Sequence, residues 1–417
     1  MALSPPTPRH CARPPRARGG LRAACAALLV AAGLIAGCGS LPRHAVPASL
    51  APQAVVPGLP DVRAWAGQPS PALMNDLIES FAQESREDFP AAADGSVRYP
   101  HLALSGGGAN GAFGAGFLSG WSATGTRPVF KTVTGVSTGA LMAPFAFLGT
   151  AYDQALREFY TTTRTADIFV LGSILRNLLV GEALADTAPL AALIERHVDA
   201  ELLERVAVEH RRGRRLYVGT ADLDAGRFVV WNMGLIAASG QGGSLALFRR
   251  VMLASASIPV AFPPVFFEVE AGRGLYDEMH VDGGVGARVF VHGGVLRANA
   301  FRQRGGLGMG HEDIYVIHNG QLLTLPDPVR RSVPAIALRV LEATGRAAVL
   351  GDLMRIHAHA EREGAGFAWI TIPDDVSLDG AEVFDPVKMR RLYELGQAMA
   401  GRPDRWFTSL PGLEPDP

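Results

Sequence analysis

A serine between two glycines is the first feature of this sequence that could carry out covalent chemistry. The stretch TGVSTGAL, residues 134–141, places Gly135 and Gly139 two residues either side of Ser137. A serine hydroxyl is a weak nucleophile unless a tight turn exposes it and a base accepts its proton. Small neighbours permit such a strand-to-helix turn. The pattern predicts a nucleophilic serine, and the alternative is an ordinary glycine-rich loop, because so short a motif also arises by chance.

A second glycine-rich stretch, SGGGANGAFGAG, follows a predicted strand and opens a predicted helix. Gly106, Gly108 and Gly111 match the G-x-G-x-x-G spacing of a dinucleotide site, which also needs an acidic residue about 20 positions later to bind the ribose. No acidic residue occurs between Gly106 and Asp153, and the chain contains no G-x-x-x-x-G-K-[ST] phosphate loop. What remains is a row of backbone N–H groups at a helix N-terminus, which beside an activated serine would form an oxyanion hole. The candidate donors are Gly107 and Gly108, together with Gly106 or Ala109.

Three residues are candidates for the base that accepts the serine proton. Asp282 ends a predicted strand before two glycines, which let a backbone pass close to another element, although alone it is more often a turn aspartate that caps its own loop. His280 lies on the same face of that strand if the strand is regular. His318 ends another predicted strand, where a hydrolase with the chain order Ser, Asp, His carries its histidine. The residues therefore allow a Ser137–Asp282 dyad or a triad with His318.

Alternating strands and helices position these residues. The order predicts an α/β fold with a mostly parallel central sheet and helices on both faces. The apolar stretch at 168–180 is predicted to be a core helix. The alternative is a lid or a lipid-facing wall, which would be apolar because acyl chains need an apolar cleft. The predicted elements are strands at 99–105, 130–134, 275–284, 313–320 and 367–372, a hairpin at 214–232 that turns at 224–226, and helices at 72–88, 106–121, 187–212 (two), 247–256, 328–362 and 385–400.

Four motifs in this chain resemble, in the same order, those of the patatin-like phospholipases. The resemblance implies a three-layer α/β/α patatin-like fold, a Ser137–Asp282 dyad that needs no histidine, and hydrolysis of acyl esters in lipids. It implies no metal and no organic cofactor. With a similar hairpin, VGTADLDAGRFVVWN, the motifs span about residues 99–320. They are GGGANG (106–111) as the oxyanion motif, GVSTG (135–139) as the nucleophile elbow, ASASIPVAFPP (254–264) as the small-residue and proline segment, and DGG (282–284) as the catalytic aspartate.

Two positions depart from the family pattern. The family usually has Arg or Lys where this chain has Asn110, which can donate a hydrogen bond but brings no charge. We expect Asn110 on the substrate side of the site. After DGG the family often has Asn and Pro, whereas this chain continues VGARVFV. The same site could serve an acyltransferase or a thioesterase, and a non-catalytic lipoprotein that keeps the fold for binding is the alternative from another class.

The N-terminus has the pattern of an export signal. Five arginines and no acidic residue precede the apolar run at 23–36, which is shorter than a membrane-spanning helix. The run ends in Ile35-Ala36-Gly37-Cys38, which resembles a bacterial lipoprotein cleavage box in which Cys38 is lipidated. Gly39 and Ser40 directly follow Cys38 and offer no aspartate signal, so this resemblance implies an anchor in the outer membrane, facing the periplasm. The alternatives are a plain secretory signal or a buried helix.

Charge and cysteine content exclude several classes of protein. Without residues 1–37, the 39 basic residues fall to 34 against 40 acidic ones, a net charge of −6 that does not suit a nucleic-acid partner. All three cysteines lie at or before the proposed cleavage, which excludes a disulfide framework, a cysteine nucleophile and a thiolate zinc site in the mature chain. We expect a signal peptide at 1–37, a lipidated cysteine and proline-rich tether at 38–71, a helical lead-in at 72–98, a catalytic core at 99–320, and a C-terminal extension at 321–417 that packs on the core.

Overall fold

The computed structural model describes residues 42–171, 183–291, 302, 309–323, 326 and 328–410. The chain divides into two units, Met1–Arg43 and His44–Pro417, and every element named below lies in the second. No helix within the described residues combines the length and the hydropathy that a membrane span requires. Cys38 and the apolar run before it lie outside the described residues, so the lipoprotein signal stays a prediction.

A mixed nine-stranded sheet is the centre of the second unit. In chain order, the strands of the described residues are β1 (Arg63–Trp65), β2 (Val97–Leu104), β3 (Thr132–Val136), β4 (Val170–Leu171), β5 (Ala185–Asp186), β6 (Arg215–Asp222), β7 (Arg227–Asn232), β8 (Val265–Ala271), β9 (Gly274–Asp282), β10 (Gly310–His318) and β11 (Gly366–Thr371). Five neighbours run parallel in the spatial order β6, β3, β2, β10, β11. β7 and β9 pair antiparallel with β6, β1 extends β7, and β8 extends β9. β4 and β5 form a separate pair.

Helices cover both faces of this sheet. They are α1 (Pro71–Ala82), α2 (Gly111–Ala123), α3 (Thr138–Leu148), α4 (Asp153–Thr162), α5 (Thr165–Ile168), α6 (Ala188–His197), α7 (Ala200–Arg211), α8 (Met233–Ala238), α9 (Ser244–Ser255), α10 (Val333–Glu363) and α11 (Pro386–Ala400). Ser70 and Asp385 cap α1 and α11 with side-chain oxygens that accept backbone N–H groups, and a proline follows each cap. Both features favour a helix start at that position.

Side chains of the central strands alternate between two apolar cores. Leu102 and Leu104 of β2 belong to the larger core, which also holds the buried residues of α2, α3 and α11. Ala103 of β2 and Val316 of β10 point to the other face and belong to a core that contains Leu353 of α10. Successive residues of a strand face opposite sides, so these central strands must be covered on both. The predicted three-layer α/β/α fold with a mostly parallel sheet is confirmed.

Part of the proline-rich segment at 38–71, which we interpreted as a tether, instead belongs to the sheet. Within it, β1 pairs antiparallel with β7, and an isolated bridge joins Val55 to Glu270. Prolines prevent a helix there but do not prevent an edge strand, which needs partners on one side only. The sequence also did not predict β8. Of the apolar stretch at 168–180, residues 172–180 lie outside the described residues.

Candidate active site

Ser137 stands in the turn between β3 and α3. Its φ of 55° and ψ of −125° lie in a region that residues with side chains rarely adopt, and such a conformation costs about 1–3 kcal/mol. A Cβ on Gly135 would overlap the carbonyl oxygen of Gly139, and one on Gly139 would overlap that of Leu104. The two glycines flanking Ser137 therefore allow three backbone segments to meet at a strained turn.

The register of three strands brings Asp282 to Ser137. β3 pairs with the first half of β6, where Val136 is opposite Gly219. β9 pairs with the second half of β6, where Asp282 is opposite Thr220. The end of β3 and the end of β9 thus meet adjacent residues of β6. The side chain of Ser137 is close enough to the carboxylate of Asp282 to lower its pKa.

Asp282 is a buried carboxylate whose pKa lies near neutrality. Burial raises this pKa to about 6, while hydrogen bonds from the Ser137 side chain and the Gly284 N–H, and the charge of Arg288, act in the opposite direction. Asp282 Oδ1 accepts the Gly284 N–H at 2.7 Å. A group with this pKa can accept a proton and release it again near neutral pH, as a general base must.

Two serines that were not predicted as site residues hold the backbones of Ser137 and Asp282 in place. Ser255 is fully buried, and its Oγ accepts the Ser137 N–H at 2.9 Å and donates to the Gly219 carbonyl at 2.6 Å. The carbonyl oxygen of Ser257 accepts the Asp282 N–H at 2.8 Å. Both serines belong to the small-residue segment that carries the family resemblance. Their place in that segment was the only sequence signal for this role, because their hydrogen-bond partners are distant along the chain.

The glycine-rich turn after β2 presents backbone N–H groups at the entrance of α2. A short 3-10 turn, Gly108–Asn110, precedes the helix. Among the hydrogen bonds of the described residues, none uses the N–H of Gly107, Gly108 or Ala109 as its donor. Unpaired N–H groups of this kind can hold a developing oxyanion. Asn110 is partly exposed, and its side chain makes no capping bond to the helix.

Gly106 has a different part in this turn from the one the sequence suggested. Its N–H donates to the carbonyl oxygen of Arg288 at 3.1 Å and is therefore not free to bind an oxyanion. A Cβ on Gly106 would lie 3.2 Å from the Cβ of Ser137. We correct its assignment from oxyanion donor to a position that lets the turn approach Ser137.

Comparison with known proteins connects this geometry to one family. Residues 102–295 match the family model of the patatin-like phospholipases. This part of the chain is a patatin-like phospholipase domain. Members of the family are typically lipid acyl hydrolases. Among solved structures, the crystal structure of VipD from Legionella pneumophila is 12% identical, with a TM-score of 0.35 over 75% of this chain and 69% of that chain. No curated protein sequence matches the chain.

Both histidines considered as bases are hydrogen-bonded away from Ser137 in the patatin-like phospholipase domain. His318 Nδ1 lies 3.0 Å from Ser105 Oγ, below the glycine-rich turn. Burial, with a further contribution from the charge of Arg288, lowers the pKa of His318 to about 4. His280 Nδ1 lies 2.9 Å from Thr220 Oγ1. Within the described residues, the Ser137 side chain therefore acts on the pKa of Asp282, whereas each imidazole is paired with a different hydroxyl.

An apolar cavity opens beside Ser137. Its free volume is about 30 Å³, which is room for about two water molecules. The lining residues are Gly108, Ser137, Thr138, Leu141, Phe159, Tyr160, Thr163, Ile168, Leu190, Ala256, Ile258, Phe262, Phe384 and Met389.

A buried polar cluster lies behind the site, between β6 and β9. Asp222, Glu278 and His280 could offer ligand atoms to a metal ion, because these atoms lie within 4.8 Å of one another. The guanidinium of Arg63 on β1 already forms an ion pair with Glu278. Burial raises the pKa of Glu278, but the bonds from His280 and Arg63 outweigh it and hold the pKa at about 2. The cluster thus has a resident cation, which ties β1 to the sheet.

Proposed function

We propose that the patatin-like phospholipase domain is a serine acyl-ester hydrolase with a Ser137–Asp282 dyad. The observation that carries the proposal is the register that brings a serine in a strained strand-to-helix turn next to a buried carboxylate of raised pKa. Strain of this kind persists where the surrounding structure enforces it, and functional sites are where it concentrates. A carboxylate in a cleft whose pKa is shifted is likewise a candidate for a functional group.

The geometry supports a two-step reaction. Ser137 Oγ attacks the ester carbonyl carbon while Asp282 accepts the hydroxyl proton, and the N–H groups of Gly107, Gly108 and Ala109 bind the oxyanion. Collapse of this intermediate expels the alcohol, which takes the proton from Asp282 and leaves an acyl group on Ser137. Water then attacks the acyl-enzyme and gives a proton to Asp282. That proton returns to Ser137 as the carboxylic acid departs.

The apolar cavity supports lipid acyl esters as substrates. Its lining is mostly aliphatic or aromatic, as an acyl chain requires. An acyltransferase or thioesterase would use the same acyl-enzyme with a different acceptor or a thioester donor. We further propose that the chain is anchored through Cys38 to the bacterial envelope, where its substrates are membrane lipids.

Labelling with a fluorophosphonate probe tests the proposed nucleophile. The purified protein should react at a single site, and mass spectrometry should map the adduct to Ser137. Ser137→Ala should abolish labelling and hydrolysis of p-nitrophenyl esters, whereas Ser377→Ala, at an exposed serine elsewhere, should change neither. A wild-type protein that is folded, unlabelled and inactive on short esters, neutral glycerides and phospholipids would instead be a non-catalytic binding protein.

A further inference from the structure

Arg288 joins the turn that carries Asp282 to the glycine-rich turn. It lies four residues after the DGG motif, and its carbonyl oxygen accepts the Gly106 N–H at 3.1 Å. Its own N–H donates to Asp352 Oδ2 on α10 at 2.7 Å. The backbone of Arg288 is thus held between two parts of the active site and a long helix, which fixes where its side chain begins.

The guanidinium of Arg288 forms no ion pair within the described residues. Its Nε is buried and without a hydrogen-bond partner, and no described residue forms an ion pair or a side-chain hydrogen bond with it. The other buried arginines of the domain differ. Arg127, Arg214 and Arg215 pair with Asp153, Glu209 and Asp76. A partly buried cation without a partner is unfavourable in a folded protein. An anion that binds there would supply the missing negative charge.

This cation lies next to the proposed base. A Cβ on Gly284 would be 2.9 Å from Asp282 Oδ1 and 3.5 Å from Arg288 Nε, so the two side chains flank this glycine. A Cβ on Gly345 of α10 would be 2.7 Å from Arg288 Nη2. Glycine at both positions leaves room for the guanidinium. Arg288 does not line the apolar cavity beside Ser137, so the acyl chain and the guanidinium occupy separate places.

Three ionisable groups, Asp282, His318 and Asp352, surround Arg288. Asp282 and His318 both feel its positive charge, which favours the ionised form of Asp282 and the neutral form of His318. Asp352 is occupied by the N–H groups of Arg288 and Val289 and by an ion pair with Arg355. In the described residues neither carboxylate forms an ion pair with the guanidinium, so its hydrogen-bond donors are available to an incoming anion.

We propose that Arg288 is a specificity-determining residue that binds an anionic group, such as phosphate, on the alcohol half of the ester. The inference rests on the proposed hydrolase function. It gives this domain a cation close to the base, while Asn110 brings none in the glycine-rich turn. Arginine suits the role because its planar fork donates two parallel hydrogen bonds to phosphate or carboxylate oxygens.

A matched pair of substrates tests this proposal. The same acyl chain is offered as a 1-acylglycerol and as a 1-acylglycerol 3-phosphate, at pH 8, where Asp282 is ionised. We expect wild type to prefer the phosphate ester. Arg288→Gln should lower kcat/KM for it by about 10–100-fold, mostly through KM, because a charge-assisted hydrogen bond is lost. The neutral ester should change by less than about threefold, and Arg288→Lys should retain part of the preference.

Three controls keep the outcomes distinct. Arg273→Gln removes one positive charge at an exposed position and should leave the preference intact. Inorganic phosphate should inhibit neutral-ester hydrolysis by wild type but not by Arg288→Gln. Equal losses on both esters, or an unchanged ratio, would overturn the role of Arg288. If wild type hydrolyses no ester, the hydrolase proposal fails, and calorimetric titration of inorganic phosphate into wild type and Arg288→Gln still tests the anion site.

Discussion

At the scale of single residues, the pKa of Asp282 distinguishes the possible bases. Only the ionised carboxylate accepts the Ser137 proton, so kcat/KM for a neutral ester should rise with pH and level off above about 6. A His318 base would place this limb near 4 instead. Measuring kcat/KM between pH 4 and 9 separates the two. Because the charge of Arg288 lowers the pKa of Asp282, Arg288→Gln should move the limb to higher pH.

The raised pKa of Asp282 also leads to a prediction about the stability of the fold. Its folded pKa of about 6 exceeds the unfolded value of 3.8, so ionisation opposes folding. This opposition is absent below pH 3.8, grows as pH rises to 6 and is complete above it. Asp282→Asn should therefore be inactive yet more stable at pH 8, by about 1–3 kcal/mol, with the gain disappearing near pH 4.

Ser137→Ala is the matched control for that measurement. It should be equally inactive, but it keeps the buried charge of Asp282 and removes a hydrogen bond that stabilises it. Its free energy of unfolding at pH 8 should not increase. Urea unfolding of the three proteins at pH 4 and pH 8 provides the comparison. A destabilised Asp282→Asn variant at pH 8 would show that the Asp282 carboxylate is a structural requirement rather than a strained functional group.

At the scale of elements, the sequence identified the parts of the site better than their pairing. The strands ending near Ser137 and Asp282 follow from local patterns, because periodicity and glycine turns are local signals. Their meeting depends on β3 and β9 sharing one edge of β6, which no local pattern encodes. The family resemblance supplied that link. Ser255 and Arg288 were missed because their roles rest on contacts with residues far away in the sequence.

The glycine-rich turn gives a prediction at this scale. Gly108 has a φ of 57°, and a Cβ on it would meet no atom within 4 Å. Gly108→Ala should therefore fold with a loss of about 1 kcal/mol in unfolding free energy. Because Gly108 lines the cavity beside Ser137, we expect the added methyl group to hinder the oxyanion there and kcat/KM to fall on the order of 10²-fold, as when an oxyanion donor is lost.

Gly226→Ala provides the control for this variant. Gly226 has a similar φ of 61°, and a Cβ on it would also meet no atom within 4 Å, but it lies in the β6–β7 turn. Both variants should lose similar stability, and only Gly108→Ala should lose activity. An alanine at Gly107 cannot be used to test the oxyanion role in a folded protein, because a Cβ there would overlap the Asn319 carbonyl oxygen. Equal activity in the two alanine variants would contradict the oxyanion assignment of the turn.

At the scale of the whole molecule, the sequence predicted the layered architecture but placed its beginning too late. Proline frequency indicated a tether up to residue 71, yet β1 and the bridge at Val55 belong to the sheet. Arg63 of β1 pairs with buried Glu278, a contact that composition cannot reveal. Alternating strands and helices, in contrast, constrain the architecture strongly, because each apolar face must be covered.

Membrane association should depend on Cys38. The run Ile35-Ala36-Gly37-Cys38 resembles a lipoprotein cleavage box, and the net charge of −6 without residues 1–37 gives no attraction to anionic lipid surfaces. Wild type should therefore fractionate with membranes, resist extraction by high salt and incorporate labelled palmitate. Cys38→Ala should do none of these, while Cys25→Ala, inside the apolar run, should behave as wild type. A Cys38→Ala protein that stays with membranes, beside a wild type that takes up no labelled lipid, would exclude the anchor.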